Sequence, residues 1–114
     1  TRDLRLAGGI TRGYLFRGHD ADFTLNLWPH VISSENKSIK VFKNRADLVL
    51  DTSFSCEPGL WRAELLPMVQ KMTPSAANAA RLASLCAQLR LFAPVDPAMI
   101  PARSILREFI GQNP

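Results

Sequence analysis

No stretch limits the fold of this chain as tightly as Thr73 to Phe92, which reads TPSAANAARLASLCAQLRLF. Thr73 can accept a hydrogen bond from an unpaired first-turn amide, and Pro74 sits where its missing N–H costs nothing, so the pair predicts a helix start. Leu82, Leu85, Leu89 and Phe92 recur at spacings of three and four, with Ala76, Ala80, Ala83 and Ala87 as a second stripe beside them. A helix this apolar is expected to be buried on two sides, leaving Arg81, Ser84 and Gln88 as its wet strip. Ala93-Pro94 ends it, because the residue ahead of a proline is pushed out of the helical region.

The N-terminal half reads differently. Arg2 to Leu6 alternates apolar and charged residues as a short edge strand, broken by Gly8-Gly9. Gly13 to Arg17 is β-prone, and Gly18 to Asp22 supplies turn chemistry. Phe23, Leu25 and Leu27 alternate with Thr24, Asn26 and Trp28, the period of a strand with one buried face, and Trp28-Pro29 ends it. A second hairpin follows. Ser38 to Phe42 is its first strand, Lys43-Asn44-Arg45-Ala46 its turn, and Asp47 to Asp51, extending towards Phe54, its return.

From Pro58 the period lengthens again. Leu60, Trp61, Leu65 and Met68 predict a helix that Pro67 breaks or kinks, and Ile105, Leu106, Phe109 and Ile110 predict a last helix ended by Gly111. Strands first and helices after argue for the α+β class: an antiparallel sheet of about four strands in two hairpins, packed by about three C-terminal helices. The 114 residues form a single domain, 1–114.

Fourteen Lys and Arg against ten Asp and Glu give a formal net charge of +4, which permits an anionic partner without requiring one. Cys56 and Cys86 lack Cys-x-x-Cys spacing and fit free thiols in a reducing compartment, so a cytoplasmic protein is expected. No apolar run reaches the length of a membrane span and the beginning is not signal-like, so no membrane partner is expected.

His19, Asp20 and Asp22, with His30 and Cys56 elsewhere, are the nearest approach to a metal or acid–base cluster, but their spacing matches no derivable site, and Asp-rich turn chemistry explains them. Gly8-Gly9 and Gly13 lack the ending of a phosphate loop. No catalytic residue, metal ligand or cofactor is therefore assigned. Phe16-Arg17-Gly18, with Trp28-Pro29 downstream, resembles the Phe-Arg-Gly opening of the FRG domain family over residues 16–29. His19 stands where that family has glutamine, the gap to the proline is longer, and the resemblance implies no activity.

Two binding expectations remain. The large apolar residues late in the chain exceed what one small core hides, so Trp61, Met68, Met72 and Phe109 are assigned to an interface with another protein or a second copy of the chain. The alternative partner is nucleic acid, met by Arg12, Arg17, Lys37, Lys40, Lys43 and Arg45, the last four on the predicted hairpin. The leading expectation is a non-catalytic basic binding module that acts in protein–protein interaction or assembly.

Overall fold

A computed structural model describes residues 2–112. It runs α1 (Arg2–Phe16), α2 (Ala21–Ser38), a 3₁₀ segment (Lys40–Arg45), α3 (Glu57–Val69), α4 (Ala76–Leu89), a 3₁₀ turn (Pro97–Met99) and α5 (Arg107–Ile110). No strand occurs among the described residues, which overturns the α+β expectation and both hairpins. The chain is all-helical.

The first correction lies in α1. Leu6, Ala7, Ile10 and Thr11 fall on one helical face and are buried, so the helical period prevails over the short alternation at Arg2 to Leu6. Gly8, expected as a breaker, instead clears space in mid-helix. A Cβ there would lie 3.2 Å from Cζ2 of Trp61 on α3. The glycine's intrinsic cost in a helix, about 1 kcal/mol, is offset by this close approach, which buries the Trp61 indole. Helix α1 touches α2, α3 and α5, and so forms the centre of the packing.

The second correction lies in α2. Asp20 caps it, accepting a hydrogen bond from the Phe23 amide at 2.8 Å. Ala21, Thr24 and Leu25 are buried at spacings of three and four, whereas Phe23 and Leu27, expected on one strand face with Leu25, are exposed on the outside of the helix. Pro29 does not end the element. A proline inside a helix leaves the carbonyl four residues earlier without its donor, here that of Leu25. The Arg81 guanidinium on α4 donates to that oxygen at 3.1 Å.

Glu57–Val69 continues through Pro67, so the expected break does not occur. The Trp61 and Leu65 side chains of α3 fill the centre with Leu6, Ile10, Leu25, Leu82, Leu85 and Leu89. Full burial of side chains of this kind contributes roughly 1.5–3 kcal/mol each. The 93–95 segment crosses α3 at Gly59, whose carbonyl accepts from the Val95 amide at 3.0 Å.

Helix α4 confirms the helix expected from Thr73 to Phe92 but begins later, after Ser75. Asn78, Leu82, Leu85, Cys86 and Leu89 are buried, while Ala76, Ala80, Ala83 and Ala87 face solvent beside Arg81, Ser84 and Gln88. Burial is thus on one side, not two. The last helix is shorter than expected, and Gly111 ends it with φ +87°, a conformation that favours glycine. Arg107, nearly fully buried, clamps this end by donating to the carbonyls of Pro97 at 2.9 Å, Gly111 at 3.3 Å and Ile100.

Candidate docking surface

Between α2 and α3 the chain leaves the bundle. Every residue from Asn36 to Ser55 is exposed, and we call residues 39–55 the arm. Lys40–Arg45 forms its 3₁₀ segment, Ala46 is extended (φ −73°, ψ 136°), and residues 48–54 adopt no helix or turn. The Cα radius of gyration is 14.9 Å, above the value of about 13 Å for a compact domain of this length, as an extension from the bundle requires.

The arm is apolar as well as exposed. Leu48 and Leu50 are each 74% exposed, Ile39 66% and Val49 61%, with Val41, Phe42 and Phe54 beside them. Scattered apolar side chains on a surface are ordinary, but a run of this kind is not. Both ends of the arm are fixed. The Ile39 amide donates to the Glu35 carbonyl at 3.0 Å, and the Phe54 amide donates to the Glu57 carboxylate at 2.9 Å. A groove of about 950 Å³ separates the arm from α1, lined by Leu4, Arg5, Lys40, Leu50, Phe54 and Pro58 among others.

The residues expected at a protein interface lie elsewhere. Trp61 and Met68 are in the core, and Met72 and Phe109 pack against it partly buried. The Phe109 ring lies 5.6 Å from that of Trp61. The apolar surplus late in the chain is absorbed in part by the centre of the bundle, with Leu91, Phe92, Met99 and Ile105 left exposed, while the longest exposed apolar run comes from the middle of the chain.

The basic residues divide into two groups. Lys37 lies in the last turn of α2, while Lys40, Lys43 and Arg45 stand on the 3₁₀ segment, all exposed, with no hairpin to carry them. The Arg45 guanidinium lies 5.1 Å from the Phe42 ring centroid. Arg12 and Arg17 line a separate pocket of about 360 Å³ between α1 and α2, together with Arg5 and His19. Arg12 is engaged there, 3.4 Å from the Glu108 carboxylate and 5.3 Å from the Phe109 ring.

The residues weighed for chemistry do not converge. His19 stacks on Phe23 at 4.0 Å, and Asp20 caps α2. Asp22 accepts from the Ser75 amide at 2.9 Å and from the Asn78 side chain at 2.8 Å, which holds its carboxyl below the usual range. Cys86 is buried, which pushes its thiol up, and Cys56 is half-buried at the start of α3. No group of three His, Cys, Asp or Glu side chains placed to hold a metal ion occurs among the described residues. None of the described helices is long and apolar enough to cross a membrane.

No protein-family model matches the chain, and no similar characterised protein or solved structure was found. The resemblance at Phe16-Arg17-Gly18 gains no support, since Phe16 closes α1 and Trp28-Pro29 lies inside α2.

Proposed function

We propose that this chain is a non-catalytic docking module that binds another protein, or a second copy of itself, through the arm between α2 and α3. The supporting observation is the exposure of Ile39, Val41, Phe42, Leu48, Val49, Leu50 and Phe54 along one tethered segment. Removing such side chains from water favours association at roughly 25 cal/mol per Å² before ordering costs. Free Cys56 and Cys86 support the cytoplasm as its location.

A second reading rests on Lys37, Lys40, Lys43 and Arg45, which are exposed on one short stretch and form no ion pair with a described residue. They suit a phosphate backbone, and binding of that kind falls steeply with salt.

Light scattering coupled to size-exclusion chromatography separates the two readings. The protein is run alone and with a protein captured on it from a lysate of the source cells, at low and high salt, with and without a pool of short DNA and RNA. Assembly that resists salt and ignores nucleic acid is the expected result. The double variant Leu48→Asp, Leu50→Asp should weaken that assembly by at least about tenfold while leaving the thermal midpoint unchanged, because neither side chain is in the core. A monomer that shifts only with nucleic acid at low salt, and loses the shift in Lys40→Glu, Lys43→Glu, would replace the docking reading with the second.

A further inference from the structure

Residues 47–52 combine two unmet demands. The first is in the backbone: among the described residues, nothing accepts from the amides of residues 47–52 and nothing donates to their carbonyls. Water can satisfy these groups while they are exposed, but burying the side chains beside them requires another partner. The second demand is in the side chains. Read as a strand, Asp47-Leu48-Val49-Leu50-Asp51-Thr52-Ser53-Phe54 puts Leu48, Leu50, Thr52 and Phe54 on one face and Asp47, Val49, Asp51 and Ser53 on the other, so that Val49 is the one large apolar side chain on the polar face. That is the pattern of a strand packed on one side, found in a chain with no strand among its described residues to pair with it.

We infer that residues 47–52 add as a β-strand to the open edge of a sheet in a different polypeptide. This rests on the docking reading and names the kind of partner. Strand addition answers both demands at once, since the partner's edge supplies the ladder hydrogen bonds and its sheet supplies the layer that covers Leu48 and Leu50. A second copy of the arm answers only the first. Two paired arms make a two-stranded ribbon, marginal in water, whose apolar face remains uncovered. A helix-lined groove in the partner would answer only the second, leaving the arm's amides to be desolvated without acceptors. A pre-existing sheet therefore fits best. The fixed ends favour it too, since Glu57 holds the Phe54 amide and Glu35 the Ile39 amide, so little chain must be ordered on binding.

The probe is the full chain with Asp47→p-benzoylphenylalanine, cross-linked by light in a lysate of the source cells. The captured protein is then purified and mixed with the unmodified chain. Capture alone decides nothing; amide hydrogen exchange over residues 47–52 does. Slowed exchange at alternate amides supports addition to an open edge, and slowed exchange at every amide would overturn it. Val49→Pro and Leu50→Pro supply a second measurement, because consecutive N–H groups point to opposite edges of a strand. At an outer position one of the two variants should weaken binding about tenfold and the other should not, whereas between two strands both should. Val49→Thr should bind as the parent does, and circular dichroism should show unchanged helicity in all three variants. A captured partner that leaves these amides unprotected and tolerates both prolines would overturn strand addition while sparing the docking reading. Cross-linking only to a second copy of the chain would overturn the choice of occupant. Failure to capture anything through the arm would sink both.

Discussion

Asp22 joins two helices from a position more than fifty residues away from its partners in sequence. Its carboxylate accepts from the Ser75 amide at 3.0 and 2.9 Å, and the Asn78 side chain bridges it to Asn26 at 3.0 Å. The Asn78 bond is the largest cause of its lowered pKa, followed by that of the Ser75 amide. A carboxyl whose folded pKa lies below its ordinary value near 3.8 stabilises the fold fully above that value and loses this contribution as pH falls through the folded one. Asp22→Asn should therefore lower the melting temperature at neutral pH and flatten its decline between about pH 5 and pH 2. Thermal melts of both proteins across that range check the expectation; parallel profiles would show that the charge of Asp22 is not coupled to folding. The turn chemistry of Asp20 is legible in the sequence because its partner, the Phe23 amide, is local. That of Asp22 is not, because only the tertiary fold brings Ser75 and Asn78 to it.

At the scale of elements, the main helix is legible where Leu82, Leu85 and Leu89 repeat at spacings of three and four, and the strands are misread where short alternation stands in for a period. Phe23 and Leu27 are four residues apart and share an outer helical face, while Leu25 points inward, so three alternating residues fit either geometry. Glycines in α1 mislead for a related reason: they read as breakers unless the indole that needs their space is known. Gly59 offers the sharpest test of such close approach. A Cβ there would stand 2.3 Å from the Ala93 carbonyl oxygen and 2.7 Å from a Val95 methyl, and the obstructing oxygen is backbone. The nearby segment is also held by Arg62, which donates to the carbonyls of Arg90 at 3.1 Å and Phe92 at 2.5 Å. Gly59→Ala should cost about 1–3 kcal/mol by displacing that segment. Urea denaturation should show this as a lower midpoint with an unchanged slope.

At the scale of the whole molecule, the basic stretch and the apolar Leu48-Val49-Leu50 run are both visible in the sequence, and their exposure is not. Burial depends on whether a partner layer exists, and in this all-helical chain the layer expected from the N-terminal half is absent from the described residues. The interface residues Trp61 and Met68 illustrate the converse, since the fold found room for them inside. The arm also divides the chain into two parts that share one core. Leu6, Ala7, Ile10 and Leu25 come before it; Leu60, Trp61, Leu65 and Leu82 come after it. A protease that cuts after large apolar residues should nick the chain first at Phe42, Leu48 or Leu50, where the backbone is exposed and residues 48–54 are free of helix. The two fragments should then migrate together on a native gel, retain their helicity and part only in denaturant, so that the protein behaves as two complementary pieces joined by a dispensable covalent link.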